Sequence, residues 1–306
     1  MKRLDELLGA LLLWLALAGP ALAQDKGRFV EHSAVPSANI APPHVVIWLP
    51  PGYDRGSKRY PVVYMHDAQN LFFKERSNFN KVWAADQSAL RLIASGKTGP
   101  FIIVGVNQPG KERYRQYFPT KVAEPLLRKG IEQFAGPLKG DSYVRFLADE
   151  LKPFIDRTYR TRPQPRFTAV AGSSMGGLIS LYALAERPDA FGRAAAVSTH
   201  SPLIGPDNLA KMPGLADTIK GHWRTYLYHR LGPPKGRRLW MDHGTATLDS
   251  HYAPYQQVID AEVERIGWRR GSDFESRVYE GAEHEENAWA ARLDDIFGWL
   301  LGDWPR

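Results

Sequence analysis

Apolar runs of strand length alternate with helical segments along most of the chain. Runs such as 100–106 lack the polar–apolar alternation of a half-exposed strand, which is typical of parallel sheets covered by helices on both faces. The order therefore predicts an α/β fold with a mostly parallel central sheet and helices on both faces. The predicted strands are 44–49, 61–65, 100–106, 167–171, 194–198, 238–241 and 274–279, and the predicted helices are 82–95, 142–159, 175–185, 251–266 and 286–301.

Residues 24–306 contain no internal repeat and no low-complexity linker, which predicts a single domain. Their first part, 24–43, is interpreted as an arm or a first edge strand. Residues 199–236 interrupt the alternation, because prolines and glycines recur there among aromatic residues. A connection of this length has two interpretations, a cap over a functional site or a surface insertion.

The N-terminus has the features of a secretory signal peptide. Lys2 and Arg3 precede the apolar run 7–18, and a small-residue step, 20–23, ends before Gln24. The alternative is a membrane anchor, but such an anchor needs about 20 apolar residues and this run is shorter. We therefore predict a signal peptide over 1–23, no stable membrane insertion after its cleavage, and a periplasmic or secreted bacterial protein.

The absence of cysteine excludes disulfides, thiolate metal sites and cysteine nucleophiles. The net charge of +7 comes from dispersed basic residues, and no zinc finger or RNA-binding signature accompanies them. Nucleic-acid binding is therefore not expected. His222 and His229 have no third ligand in their neighbourhood of the sequence, so no metal site is expected either.

The segment Gly172–Gly176 contains the pattern Gly-x-Ser-x-Gly, with Ser174 at its centre. It lies between a predicted strand and a predicted helix. A sharp turn at this point places a serine at the carboxyl edge of the sheet, and glycines on both sides let the backbone turn without clashes. A purely structural turn is the alternative, but the strand–turn–helix context favours a catalytic nucleophile.

A serine hydroxyl needs a base that takes up its proton. In a strand–turn–helix hydrolase the base follows the last strand of the sheet. His284 occupies that position, on the loop that leads into the last predicted helix. An exposed loop histidine is the alternative. The surrounding sequence is not a His-Glu-x-x-His zinc helix, because the second histidine is missing.

The third member of a triad is an acid that orients the imidazole, and it follows the preceding strand. Asp242 and Asp249 both lie in this part of the chain. Asp242 stands at or inside the strand end, whereas Asp249 lies further along the loop. We therefore predict Asp249 as the acid and keep Asp242 as the alternative.

The oxyanion of an ester intermediate needs two donors, usually backbone amides. One is the amide of the residue after the nucleophile, here Met175. The other is expected on the loop after an earlier strand, at Asp67 or Ala68.

Three further residues are candidate substrate contacts. Arg113 stands among tyrosines, where it is suited to an acidic or hydroxylated substrate, although arginine beside tyrosine is commonly structural. His200 follows the predicted strand 194–198, and Trp223 lies in the interrupting segment 199–236.

With these motifs the chain resembles the putative esterase family of α/β-hydrolases, which contains enterochelin esterases, S-formylglutathione hydrolase-like enzymes and feruloyl or acetylxylan esterases. The resemblance implies Ser174 as nucleophile, His284 as base and a carboxylate after Gly244. Many relatives have glycine at the position of Ala68, and several have the acid where Ala246 and Thr247 stand, so a Ser-His dyad stays open. The likeness runs from about residue 45 to 301 and is carried by 49–53 (LPPGY), 64–72 (YMHDAQNLF), 146–155 (FLADELKPFI) and 172–177 (GSSMGG).

The hypothesis from the sequence is an exported serine carboxylesterase (EC 3.1.1.-) that forms an acyl-enzyme on Ser174 and needs no cofactor. Its substrate is expected to be a small-molecule or oligosaccharide ester. Siderophore trilactones, acetylated or feruloylated xylan and small acyl esters all fit. The alternatives are an acyltransferase with a sugar or alcohol acceptor, and a non-catalytic esterase-like protein that binds a carbohydrate or a siderophore.

Overall fold

The computed structural model describes residues 25–127 and 136–306, so the predicted signal peptide lies outside the described residues. In these ranges eight strands form one sheet in the order β1-β2-β4-β3-β5-β6-β7-β8. The strands are β1 Arg28–His32, β2 Val45–Leu49, β3 Val62–His66, β4 Ile102–Val106, β5 Thr168–Ser173, β6 Arg193–Val197, β7 Arg238–Gly244 and β8 Phe274–Tyr279.

The sheet is mostly parallel, as the sequence predicts. Strand β1 pairs antiparallel with β2, and β2 pairs antiparallel with β4. From β4 to β8 every neighbouring pair is parallel. Every residue of β2 to β6 is buried, which explains why these strands lack polar–apolar alternation. Strand β1 is the edge strand expected within 24–43.

Helices cover both faces of the sheet. On one face α1 and α10 pack together and bury residues such as Leu92 and Ile296. On the other face α6, α8 and α9 contribute to a second apolar layer, with Leu178, Ile219 and Ile259. The helices are α1 Ala85–Ala94, α2 Arg113–Tyr117, α3 Thr120–Leu127, α4 Gly140–Arg145, α5 Lys152–Thr158, α6 Met175–Glu186, α7 Pro206–Ala210, α8 Leu215–Tyr226, α9 Ala253–Arg265 and α10 Glu286–Leu301, with π-helical turns at Phe146–Leu151 and Leu227–Leu231. None of the helices in the described ranges is long and apolar enough to cross a bilayer.

Two differences from the sequence-based expectation concern the candidate site and its surroundings. Strand β7 continues to Gly244, three residues past the predicted end at 241, so Asp242 lies inside the strand. The segment 199–236 contains α7 and α8, and α8 packs against α3 and α9. Its apolar face, including Ile219 and Trp223, belongs to the core. Helix α8 is therefore a structural part of one helical layer, and the interpretation as a cap is wrong for this part of the segment.

Parallel strands bring the candidate residues to one edge of the sheet, because their carboxyl ends lie side by side. Asp67 follows β3, Ser174 follows β5, and Ser198 follows β6. The loops after β7 and β8 carry Asp249 and His284. The fold thus brings residues that are more than 200 positions apart in the chain into one neighbourhood.

Candidate active site

Ser174 lies at a strained turn between β5 and α6. Its backbone has φ 58° and ψ −119°, a conformation that non-glycine residues seldom adopt. Two nearby glycines, Gly172 and Gly177, are needed sterically. A Cβ atom on Gly172 would lie 2.8 Å from Cδ2 of His66, and one on Gly177 would lie 2.7 Å from Oγ1 of Thr199. The tight turn therefore places Ser174 at the carboxyl edge of the sheet.

His284 lines the same cavity as Ser174, a cleft of about 320 Å³. Its Nδ1 lies 2.6 Å from Oδ1 of Asp249. An ionised carboxylate only accepts hydrogen bonds, so Nδ1 carries the proton and Nε2 is the nitrogen left to act as a base. The rings of Tyr252 and Trp289 stand perpendicular to the imidazole, with centroids 5.6 and 5.1 Å away. These contacts fix the plane of the ring.

Asp249 is buried, with 1% of its surface exposed, and lies in the 3₁₀ turn Thr247–His251. Burial alone would raise the pKa of Asp249, but hydrogen bonds from His284, Ser198 and Gly244 outweigh it and lower that pKa. A Cβ atom on Gly244 would lie 2.1 Å from the Ala282 carbonyl oxygen and 3.0 Å from Oδ2 of Asp249. Glycine at this position is therefore what lets the carboxylate approach the backbone amide.

Asp242 has a different set of partners. It is fully buried in β7 and forms an ion pair of 2.7 Å with Arg292. Its Oδ2 accepts a hydrogen bond of 2.6 Å from Nε1 of Trp240. The structure therefore places Asp249, and not the alternative Asp242, against His284. It likewise gives the histidine a carboxylate partner, which a Ser-His dyad would lack.

The two expected oxyanion donors are the first residues of helices. Ala68 begins the 3₁₀ helix Ala68–Asn70, and Met175 begins α6. The first amides of a helix have no partner inside that helix, so they are suited to bind an anion. The amide of Asp67 donates to Oη of Tyr117 at 3.4 Å. Of the two alternatives on this loop, Ala68 is therefore the better donor.

Arg113 lines the cavity, but its guanidinium group is already paired. It donates two hydrogen bonds of 2.7 Å to the carboxylate of Asp67 and stacks over the ring of Tyr117 at 5.1 Å. Asp67 itself has a left-handed backbone, with φ 56°. Arg113 therefore braces the loop that carries Ala68, a role that differs from the expected substrate contact.

His200 and Trp223 do not line the Ser174 cavity. Nδ1 of His200 lies 2.8 Å from Oη of Tyr252, and both residues line a second cavity of about 140 Å³. Trp223 is 1% exposed, and its Nε1 donates to the Ser201 carbonyl oxygen at 2.8 Å. Trp223 is thus a core residue, because the helix that carries it packs this face into the apolar layer with α3 and α9, and the expected substrate contact is wrong.

Three residues beside Ser174, His284 and Asp249 are not predicted from the sequence. Tyr252 lies next to Ser174, with which its hydroxyl hydrogen-bonds, and burial keeps the pKa of Tyr252 above its ordinary value. Ser198 and Arg292 contact each other behind Asp249. Ser198 follows β6 at the sheet edge where the other site residues lie, so its position after a parallel strand could have indicated that it belongs to the site. Tyr252 and Arg292 are single helix-flanking or helical residues with no motif around them.

The cavity wall combines aromatic and polar groups. Phe79 is 89% exposed at the rim, and Trp83 and Trp289 lie deeper. Asn70 donates from Nδ2 to Glu286 at 2.8 Å, and burial raises the pKa of Glu286. The site therefore offers flat apolar surface together with hydrogen-bonding groups. Within residues 25–127 and 136–306, no histidine, aspartate and glutamate side chains form a group of three suited to hold a metal ion.

His66 gives the protein a specific acid sensitivity. It is 2% exposed, its Nδ1 contacts Oη of Tyr143 at 2.9 Å, and burial lowers the pKa of His66 to about 4. The unfolded chain takes up a proton near pH 6.5, whereas the folded chain does not until about pH 4. The free energy of unfolding therefore falls as the pH falls through this window, by roughly 2 kcal/mol between pH 7 and pH 5 for this group alone.

Urea denaturation of the wild type and of His66→Asn at pH 7 and pH 5 measures this contribution. We expect the wild type to lose more unfolding free energy between the two pH values than the variant does. An equal loss in the two proteins would contradict the assignment of this acid sensitivity to His66.

The chain matches the family model described as "Putative esterase" over residues 40–300. The uncharacterized protein YbbA of Bacillus subtilis (strain 168) is 25% identical over 281 residues, which cover 90% of this chain and 97% of YbbA. The ferri-bacillibactin esterase BesA of the same strain is 30% identical over 142 residues, which cover 43% of this chain and 45% of BesA.

Solved structures have the same architecture. A ferulic acid esterase superposes with a TM-score of 0.62 at 20% identity, over 90% of this chain and 98% of that one. An IroE-like serine hydrolase from Shewanella oneidensis superposes with a TM-score of 0.63 at 20% identity, over 89% and 78% of the two chains. At these low identities the superpositions show a shared fold, which is the α/β-hydrolase fold predicted from the sequence. Because the family model extends over nearly all of that fold, the protein belongs to the Putative esterase family.

Proposed function

We propose that the protein is an exported serine carboxylesterase that hydrolyses its substrate through an acyl-enzyme on Ser174. One observation carries this proposal. Ser174, held outward at a strained turn, lines the same cavity as His284, and Asp249 fixes the imidazole at 2.6 Å. A serine and a histidine in one cavity, with a carboxylate against the histidine, support the roles of nucleophile, base and orienting acid in acyl transfer.

Acylation begins when Oγ of Ser174 attacks the ester carbonyl carbon and Nε2 of His284 takes up the hydroxyl proton. The carbonyl oxygen becomes negatively charged, and the amides of Met175 and Ala68 stabilise it. Asp249 stabilises the positively charged imidazole. The intermediate then breaks its bond to the alcohol oxygen, and His284 returns the proton to that oxygen. A water molecule repeats the sequence and releases the carboxylic acid.

The cavity supports a small-molecule or oligosaccharide ester as substrate. Aromatic surface at Phe79 and Trp83 is suited to a ring, and the Asn70–Glu286 pair is suited to hydroxyl groups. The similar proteins named as a ferulic acid esterase and a ferri-bacillibactin esterase also support an ester substrate. The signal peptide predicted over 1–23 supports export to the periplasm or the exterior.

A panel of esters tests the reaction type. Purified protein is incubated with p-nitrophenyl acetate, an aromatic acyl ester of a sugar, and a cyclic triester, with and without an added alcohol or sugar. We expect free acid as the product in both conditions. A transferred acyl group on the added acceptor would favour an acyltransferase instead. Binding of an ester or sugar without turnover of any member of the panel would favour a non-catalytic binding protein.

A further inference from the structure

Ser198 lies directly behind the triad acid, at the end of β6. It is fully buried and has a left-handed backbone with φ 40°, which a serine adopts only where its surroundings hold it. Its Oγ contacts three groups, Oδ2 of Asp249 at 2.5 Å, Nε1 of Trp289 at 3.0 Å and Nη2 of Arg292 at 2.6 Å. Ser198 itself does not line the Ser174 cavity, although its partner Trp289 does.

The chemistry of the three partners fixes the direction of the Ser198 proton. An indole N–H and a guanidinium N–H can only donate, so Trp289 and Arg292 use the two acceptor positions of the hydroxyl. The single hydroxyl proton then has one acceptor left, the carboxylate of Asp249. We infer that Ser198 is a positioning residue of the esterase, which acts by locking the orientation of Asp249. This inference rests on the proposed function.

A buried ion pair holds Ser198 in this place. Its backbone amide donates to Oδ1 of Asp242 at 3.1 Å, and the same oxygen accepts from Nη2 of Arg292 at 2.7 Å. The guanidinium also stacks over the ring of Tyr279 at 4.9 Å. Asp242 and Arg292 therefore fix the hydroxyl of Ser198, although neither of them touches Asp249 or His284 through a hydrogen bond in the described residues.

The result for Asp249 is that its two oxygens have different tasks. Oδ2 accepts from the hydroxyl of Ser198 and from the amide of Gly244 at 2.6 Å, whereas Oδ1 faces His284. Two donors on one oxygen stop the carboxylate from rotating about its last bond. Asp249 therefore presents one fixed, ionised oxygen to the imidazole, which is the arrangement that keeps the base in its active tautomer.

The test compares Ser198→Ala with a matched control, Ser88→Ala. Ser88 is also fully buried, and its hydroxyl donates at 2.6 Å to Asp294, an aspartate that is paired with Arg91. Ser88 does not line the Ser174 cavity. With p-nitrophenyl acetate we expect kcat of Ser198→Ala to fall about tenfold, as for a loss of about 1.4 kcal/mol, with KM unchanged. The Asp249 carboxylate becomes more basic without its donor, so the acid limb of the pH profile should move to higher pH. Ser88→Ala should keep the wild-type kcat and pH profile.

Ser198→Gly is a second variant in case the alanine variant does not fold, because glycine tolerates a positive φ and also removes the hydroxyl. If Ser198→Ala or Ser198→Gly folds and retains the wild-type kcat and the acid limb of the wild-type pH profile, the positioning role is overturned. The proposed function stays intact in that case, because the wild-type enzyme still turns over the ester. A wild type that is no more active than Ser174→Ala would overturn both. If kcat falls equally in Ser88→Ala, the loss in Ser198→Ala reflects general destabilisation. That result would overturn the positioning role but not the proposed function.

Discussion

Replacing Ser174 by alanine is expected to lower kcat on the order of 10⁶-fold, the loss found when the nucleophile of a serine triad is removed. In the proposed mechanism the substitution deletes the oxygen that forms the acyl bond, and neither His284 nor Asp249 can substitute for it. The remaining activity would come from binding and from the amides of Met175 and Ala68, which still stabilise the oxyanion formed by attacking water.

The fold should tolerate this change. Alanine at 174 meets the same positive φ as serine does, so the strain of the turn stays the same. Hydrolysis of p-nitrophenyl acetate measures the effect, with circular dichroism as the control for folding. A folded Ser174→Ala protein with undiminished turnover would show that the acyl group is carried elsewhere or that no acyl-enzyme forms.

Asp249→Asn is expected to lower kcat by about 10⁴-fold, with little change in KM. An amide nitrogen at this position can donate to Nδ1 of His284, which places the histidine proton on Nε2 and removes the base. The side chain of asparagine has nearly the same size as aspartate, so the geometry of the cavity is kept. The effect is therefore specific to the protonation of the imidazole.

Asp260→Asn is the matched control for this substitution. Asp260 lies in α9 and accepts a hydrogen bond of 2.6 Å from Gln256, and it does not line the Ser174 cavity. Steady-state kinetics of both variants with one ester should show the large loss in Asp249→Asn alone. If Asp249→Asn keeps more than about a tenth of the wild-type kcat, the enzyme works as a Ser-His dyad and the carboxylate has no orienting role.

The sequence predicts Ser174 and His284 as site residues because both follow from order along the chain, and the two residues line one cavity. A glycine-flanked serine between a strand and a helix, and a histidine after the last strand, are local features that the parallel topology then brings to one edge. The α/β fold class is likewise predicted from local features, the continuous apolar runs of strand length that alternate with helical segments. Asp249 was harder to separate from Asp242, because the end of β7 lies three residues beyond the predicted end.

The remaining differences come from partners that are distant in the sequence. Arg113 pairs with Asp67, whose left-handed backbone on the loop after β3 is indicated by no local pattern. The contacts of Ser198 with Trp289 and Arg292 join residues more than 90 positions apart. Such pairs are invisible in a single sequence, since each residue type is ordinary by itself.

The segment 199–236 is a case in which a usable signal was present. Leu215, Ile219, Trp223 and Tyr226 recur at helical spacing and form the buried face of α8. The prolines and glycines around them indicate an irregular segment, either a cap or a surface insertion. The periodicity of the apolar residues was the better guide to where this segment packs.

The most direct measurement is the site of covalent labelling by a fluorophosphonate, a reagent that captures activated serine hydroxyls. The wild-type protein is labelled, digested and mapped by mass spectrometry. We expect one adduct per chain, on the peptide that contains Ser174, and a slower reaction when an ester substrate is present. No adduct, or an adduct on a different residue, would contradict a nucleophilic Ser174 activated by His284.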